Sequence, residues 1–392
     1  MDLQLDKYFK NWKGFFKKEK THSIGVDVGG NNFKIVELKK EKGQIVLKNY
    51  ALVKVNEGVS DNNDMISEHL GVALRKVFDE LKIKSDKINV ALPTTSSLIT
   101  LIEVENKEGG YLKQAIELEA PKYIPVDLKD IVYDWQVIEN PRKEASREAN
   151  NNKNDSKEEE VGNSTSSQEL ESETKKVLLV SVMKEVSKKF QKIFSKNNFE
   201  IDYLEVDCFP IKKSLIRNGR GNYIILDIGG KASNIIGIYN GNIIFNRNLD
   251  IAGNRLTDLI ADTLGVGRKK AENIKIEKGF SDDSFKVAEN VVKPFFDNLV
   301  KQVKKTQEEF HDFFKDEGAE AIVLTGGTSQ MKGLRDYLEK SLETKIYYGN
   351  PWAGINFPNN LKEKLYSLSP YFAIATGLAL MGLEEEQGED LE

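Results

Sequence analysis

Two stretches of this 392-residue chain, two hundred positions apart, share one pattern in register. Residues 24–38 read IGVDVGGNNFKIVEL and residues 224–238 read IILDIGGKASNIIGI, so Asp27 matches Asp227, Gly29 and Gly30 match Gly229 and Gly230, and Ile35 matches Ile235. Each stretch is an apolar strand, an Asp-x-Gly-Gly turn and a second strand, which predicts a β-hairpin. Glycines at such a bend accept positive φ and let backbone N–H groups approach an anion. The aspartate at the end of the first strand is placed to hold a cation, or its water shell, against that anion. A repeat of this kind points to a duplicated fold with two phosphate-binding hairpins facing each other across a cleft.

Composition sets the outer bounds. A chain of 392 residues exceeds the size at which one core stops growing, so two or more domains are expected. The net charge of −5 argues against a general nucleic-acid binder. Cys208 is the single cysteine, which excludes an internal disulfide and fits a reducing compartment. His22, His69 and His311 are scattered and have no cysteine near them, which argues against a metal cluster built from side chains. No run approaches the roughly 18 apolar residues that span a bilayer, and no signal-peptide pattern opens the chain, so an intracellular protein is expected.

Three segments stand outside the regular pattern. In residues 1–20, Leu5, Tyr8, Phe9, Trp12, Phe15 and Phe16 fall at helical spacing, with Lys7, Lys10, Lys13, Lys17 and Lys18 elsewhere. This is a short basic amphipathic helix that either docks on an acidic membrane surface or a partner, or packs on its own domain. Residues 140–176 are rich in Glu, Lys, Asn and Ser, with Val161 and Leu170 as their large apolar residues. Such a stretch cannot bury enough surface to offset its ordering entropy and is expected to be a disordered surface loop. Residues 384–392 form an acidic tail.

Elsewhere strands and helices alternate with glycine-rich turns at strand ends, which defines an α/β fold with ligands outside the carboxyl ends of the strands. Helices are expected over 64–81, 184–197, 210–217, 253–264 and 370–381. A long helix carries Val292, Phe295, Phe296, Leu299, Val303, Phe310 and Phe313, with Pro294 in its first turn. The strand 321–324 opens onto a third glycine turn at Gly326 and Gly327. Gly230-Lys231 imitates the end of a P-loop, but residue 225 is Ile and residue 232 is Ala, so that motif is absent, and no GxGxxG follows a strand.

These residues resemble the actin, Hsp70 and sugar-kinase superfamily. Asp27-x-Gly with Lys34 seven positions on, Asp227-x-Gly-Gly, and Thr325-Gly326-Gly327 look like its two phosphate hairpins and its adenosine loop. Within it, the chain is similar to the FtsA-like branch and, there, to the PilM family of type IV pilus assembly proteins. The matching segments are DVGGNNFKIVEL, Glu117 and Glu119 leading to Tyr123-Ile124-Pro125, Asp134-Trp135-Gln136-Val137, VLLVSVMKE, Lys270-Ala271-Glu272-Asn273-Ile274-Lys275, and the stretch from Leu368-Ser369-Pro370 to Ala379. The resemblance covers nearly all of residues 23–382.

The resemblance implies duplicated ribonuclease-H-type domains around a nucleotide cleft, with an inserted small domain. The first domain would comprise 21–94, 203–217 and 369–383, with 95–202 as the insertion. The second would comprise 218–264 and 320–368, with a helical subdomain at 265–319. ATP and Mg²⁺ are the implied ligands. Asp27 and Asp227 would hold the metal through water, while Lys34, Asn31, Asn32 and the Gly29 and Gly30 amides would take the β- and γ-phosphates. The amides of Gly229, Gly230 and Lys231 would oppose them. Glu272 would accept from the ribose hydroxyls, Lys275 would line the adenine pocket, and Gly326 and Gly327 would let the nucleoside lie on the backbone. Gly30, Asn31 and Asn32 stand where the family often has serines.

Asp207 has two readings: a carboxylate that positions an attacking water, or a cap on the following helix. Any ATPase activity is expected to be weak. The implied partners are the N-terminal tail of a PilN-like membrane protein, in a groove near residues 98–104 and 111–121, and other pilus platform components and assembly ATPases. Residues 5–18 would add peripheral contact at the inner face of the cytoplasmic membrane, and no nucleic acid is involved. Two alternatives remain open at this point: an FtsA-like cell-division or filament protein, and a sugar or acyl kinase.

Overall fold

The computed structural model describes residues 20–29, 32–54, 65–106, 112–138, 173–217, 219, 221–280, 286–314 and 318–384. The chain divides into two compact units, a small one spanning residues 98–181 and a large one formed by the rest.

In chain order, β1 (His22–Val28), β2 (Asn32–Glu41) and β3 (Gln44–Lys54) are followed by α1 (Met65–Glu80) and β4 (Lys87–Leu92). The small unit contains β5 (Ser97–Asn106), α2 (Leu112–Tyr123), β6 (Ile131–Ile138) and β7 (Glu173–Met183), with its strands in the order β5-β7-β6. The large unit resumes with α3 (Lys184–Ser195), β8 (Glu200–Val206) and α4 (Cys208–Leu215). Its later part contains β9 (Tyr223–Ile228), β10 (Ser233–Tyr239), β11 (Asn242–Leu249), α5 (Gly253–Leu264), α6 (Arg268–Glu277) and α7 (Lys286–Phe314). The chain closes with β12 (Ala321–Thr325), α8 (Leu334–Leu342), β13 (Ile346–Tyr348), β14 (Ile355–Asn356) and α9 (Lys362–Met381). Among the described residues no helix is long and apolar enough to cross a membrane.

The large unit is a duplication in topology as well as in sequence. One sheet has the order β14-β3-β2-β1-β4-β8 and the other β11-β10-β9-β12-β13. In each, the hairpin strands run antiparallel and the next two strands add in parallel beside the first. Even the bulges correspond, falling between Glu37 and Leu38 in β2 and between Gly237 and Ile238 in β10. Each bend closes with the same bond, from Gly29 N–H to the Asn32 carbonyl and from Gly229 N–H to the Ala232 carbonyl, both at 3.0 Å.

Two cores hold these sheets. Ile224, Leu226, Ile228 and Ile235 pack with Leu256, Ile260, Val292, Phe296, Leu299 and Val303 from α5 and α7. Val36, Leu38, Trp352 and Phe372 pack with Ala375 and Ala379 of α9. Each large buried side chain stabilises the fold by about 1.5–3 kcal/mol relative to exposure. Helix α9 runs so close to its neighbours that glycine is required on both contacts. A Cβ on Gly25 would lie 2.0 Å from the Ala375 carbonyl oxygen, and one on Gly377 would lie 1.8 Å from that of Pro210.

Several expectations from the sequence shift. The inserted unit, expected over 95–202, spans 98–181, because β8 pairs in parallel with β4 and so belongs to the six-stranded sheet. Strand β7 begins at Glu173, inside the stretch 140–176 expected to be a loop; residues 140–172 of that stretch lie outside the described residues. Pro294 is interior to α7, and Pro370 is interior to α9, which begins at Lys362. A proline needs no N–H only in the first turn, so each leaves one helical carbonyl without its usual partner. The leader (1–19) and the tail beyond Glu384 also lie outside the described residues.

The packing of α9 makes a direct prediction. Gly377→Ala should destabilise the protein by about 3 kcal/mol in urea unfolding, because the Pro210 backbone cannot retreat cheaply. Gly318→Ala, where an added Cβ meets nothing within 4 Å, should stay within about 0.5 kcal/mol of wild type.

Candidate functional site

The two hairpins present the same carboxylate with different partners. Asp27 stands opposite Lys34 across β1 and β2, and the Lys34 ammonium donates to Asp27 Oδ2 at 2.8 Å, with both side chains buried. Asp227 stands opposite Asn234 across β9 and β10, in the corresponding register. A neutral amide replaces the cation there. Burial therefore pushes the Asp227 carboxyl up to about 6, although the Lys34 charge and the Asn234 hydrogen bond hold it down in part; Asp27 pushes the same way as burial.

Asp207, just past the end of β8, is a further buried carboxylate, whereas Asp227 is half-buried. Its N–H donates to the Leu92 carbonyl at 3.0 Å, which ties it to the end of β4. Its side chain makes no capping bond to α4. Instead Thr94 N–H donates to Oδ2 at 3.1 Å and the Thr94 hydroxyl donates to Oδ1. Of the two readings of Asp207, the cap is therefore the one the geometry rejects. Burial raises its carboxyl to about 8, the Thr94 backbone bond opposes that rise, and the charges of Asp227 and Asp27 add to it.

The glycine turns act sterically more than as donors. The N–H groups of Gly29 and Gly229, expected to face phosphate, close their own bends on the Asn32 and Ala232 carbonyls. A Cβ on Gly29 would lie 2.8 Å from Lys34 Nζ. Gly326, at φ +85°, lies against the second carboxylate, where a Cβ would be 2.4 Å from Asp227 Oδ1. Its N–H donates to the Pro370 carbonyl at 3.0 Å, and Gly327 packs on the ring of Tyr371. Asn32 opens β2, and Gly30 and Asn31 lie outside the described residues.

The α5–α6 pair continues this site. The Gly253 N–H at the start of α5 donates to the Gly229 carbonyl at 2.9 Å, and the Thr328 hydroxyl reaches the same carbonyl at 3.3 Å. Lys275 is buried and donates to Glu272 Oε2 at 2.7 Å. Burial pushes its ammonium down, and the Glu272 charge opposes this. Burial shifts the Tyr371 hydroxyl upward, and the charge of Glu272 adds to that shift.

The site therefore gathers Asp27, Asp207 and Asp227, whose charges act on one another, with the Lys34 ammonium on Asp27 and Lys231 exposed at the second bend. Such a set is short of positive charge, and a divalent cation with its water shell would fit it. Among the described residues no three His, Cys, Asp or Glu lie close enough to grip a bare metal, so these carboxylates would act through water. Sequence reasoning missed Thr94, Asn234, Thr257 and Tyr371. Only Asn234 carried a signal, because it is the in-register counterpart of Lys34.

Comparison with known proteins agrees with this architecture. The family model for type IV pilus assembly protein PilM matches residues 25–166 and 159–383. The cell division protein FtsA of Escherichia coli K12 is 24% identical over 246 residues, covering 55% of this chain and 57% of that protein. FtsA of Pseudomonas aeruginosa is 24% identical over 235 residues, covering 54% of each. The chain thus spans about half the length of these curated relatives. Among solved structures, a PilM-PilN type IV pilus biogenesis complex superposes with a TM-score of 0.73 at 20% identity, over 94% of this chain and 100% of the other. MreB 5 of Spiroplasma citri bound to AMPPNP gives 0.50 at 13% identity, over 93% and 96%. The fold is actin-like.

The Asp207 environment predicts a pH dependence. Its carboxyl has an ordinary value of 3.8 when unfolded and about 8 when folded. The folded state therefore prefers the proton, and the stability this supplies is complete below the unfolded value and lost as pH rises through the folded one. In buffer without metal or nucleotide, wild-type stability should fall between about pH 5 and pH 8. Asp207→Asn, which cannot ionise, should flatten that fall by about 1–3 kcal/mol in urea unfolding. A variant whose stability tracks wild type across the range would show that Asp207 is not held in its protonated form.

Proposed function

Since the chain belongs to the type IV pilus assembly protein PilM family, we propose that it is an ATP-binding actin-like scaffold of a pilus assembly platform, held at the inner face of the cytoplasmic membrane through the N-terminal tail of a PilN-like membrane protein. The observation that carries the nucleotide reading is the cluster of Asp27, Asp207 and Asp227, with the Lys34 ammonium on Asp27, at two hairpins of matching register. Lys34 and the Gly230 and Lys231 amides would meet the phosphates. Asp27 and Asp227 would hold hydrated Mg²⁺, which would neutralise phosphate charge. Gly326 and Gly327 would carry the nucleoside. Asp207, fixed by two bonds from Thr94, would orient a water for slow hydrolysis.

The partner reading has a separate support in the small unit. Helix α2 and the residues after it leave Leu118 76% exposed, with Tyr123 and Val126 also exposed. Apolar side chains so placed suit the anchoring of a short peptide, with main-chain bonds adding affinity along an extended segment. The similarity to a PilM-PilN complex lends weight to a PilN-like partner. The basic leader, residues 5–18, would add weak lipid contact and raise the effective concentration of that peptide.

Two experiments test these readings separately. Asp27→Asn should weaken calorimetric ATP binding in Mg²⁺ by about tenfold or more while leaving peptide binding unchanged. Equal affinity for wild type and variant would remove the nucleotide role from the first hairpin. A synthetic peptide copying the N-terminal tail of the PilN-like protein should bind wild type and lose about tenfold in affinity with Leu118→Asp. Absence of binding at millimolar peptide would overturn the partner assignment and leave the nucleotide assignment standing.

A further inference from the structure

The chain crosses twice between the two large sheets. It leaves the six-stranded sheet between α4 and β9, and it returns between β13 and β14, where residues 349–354 lead from one sheet to the other. Arg217 ties the two crossings together, since its Nη2 donates to the Pro351 carbonyl at 3.3 Å. The fit around this bond is close. A Cβ on Gly349 would lie 2.9 Å from Leu215 Cδ1, and one on Gly354 would lie 3.0 Å from Arg217 Nη1.

This junction carries more positive charge than it has partners for. A guanidinium has five N–H donors. Among the described residues Pro351 supplies the one acceptor that Arg217 reaches, and the Arg217 Nε is buried without one. Lys212, half-buried in the last turn of α4, has no ion-pair partner among the described residues. Lys213 beside it pairs with the carboxylate of Glu384. Burial pushes the Lys212 ammonium and the Arg217 guanidinium down, and the Glu384 charge opposes this at both. One carboxylate thus serves three cations. A half-buried cation is screened less than an exposed one, so a further anion beside it would stabilise it more.

Glu384 is also the last described residue and the first acid of a run. Leu383 before it is buried in the core with α9, so the chain leaves the fold at this point. Residues 385–392 read EEQGEDLE, with five carboxylates and no cation. Eight residues reach up to about 26 Å, ample for groups whose charges already act on Glu384. We propose that this acidic segment folds back on Lys212 and Arg217 of its own chain and clasps the junction where the two sheets are joined. Its carboxylates complete the set that Glu384 begins. The planar fork of Arg217 suits a carboxylate, and a segment held there keeps the α4–β9 and β13–β14 crossings against each other.

The test is zero-length carbodiimide crosslinking of the full chain, with isotope-labelled and unlabelled protein mixed equally and the products mapped by mass spectrometry. The Glu384–Lys213 pair is the internal reference. Glu385 or Glu386 should join Lys212 within one chain, and Arg217→Gln should cut that product about threefold against the reference. A reference crosslink with no product between residues 385–392 and Lys212 would overturn the proposal. So would products that join labelled to unlabelled chains in place of single-chain ones, because they mark a second copy as the occupant. Hydrogen exchange over residues 349–355 reads the clasp itself. Glu385→Gln, Glu386→Gln, Glu389→Gln and Asp390→Asn combined alter no described residue and should speed exchange there about threefold. Exchange unchanged from wild type would show that the segment holds nothing at the junction.

Discussion

The buried ion pair between Asp27 and Lys34 sets the electrostatics of the whole site. A buried carboxylate is costly unless a cation or several donors meet it. Lys34 meets Asp27 directly at 2.8 Å and reaches Asp227 only through space. One ammonium thus serves Asp27 and Asp227 alone, and burial pushes Asp227 up to about 6 and Asp207 up to about 8. A protein designed only for stability has no reason to keep this imbalance. It makes sense where a divalent cation is brought in with an anionic ligand.

The duplication explains how the imbalance is held in place. Equivalent strands, equivalent bulges and equivalent bend bonds deliver Asp27 and Asp227 to corresponding positions. Opposite the aspartate the two copies differ, with Lys34 in one and Asn234 in the other. The matched scaffold thus gives Asp27 a charged partner and Asp227 a neutral one. Helix α9 fixes the surrounding structure, since its Pro370 carbonyl receives the Gly326 N–H and its Gly377 abuts Pro210 at the start of α4. Pro370, interior to α9, already removes one helical bond there.

Much of this was legible in the sequence because it depends on local pattern. The in-register repeat gave the hairpins, Asp27 and Asp227, and the helix read over 253–264 is α5 at its observed bounds. What was not legible depends on contacts between distant segments. Thr94 and Asp207 meet only because β4 and β8 lie side by side, so no spacing along the chain couples them. The boundary of the small unit moved for the same reason. The interior positions of Pro294 and Pro370 were missed because proline reads as a helix start, whereas tertiary packing carries both helices through it. The Gly29 and Gly229 amides were read as free donors, and only the folded bends show that they are occupied.

If the two hairpins form one Mg²⁺–nucleotide site, a crystal structure of the chain grown with Mg²⁺ and AMPPNP should show the phosphates between the two bends, a hydrated metal ion between Asp27 and Asp227, and the nucleoside against Gly326 and Gly327. Nucleotide bound elsewhere on the molecule, or phosphates seated with no metal ion near either aspartate, would contradict it.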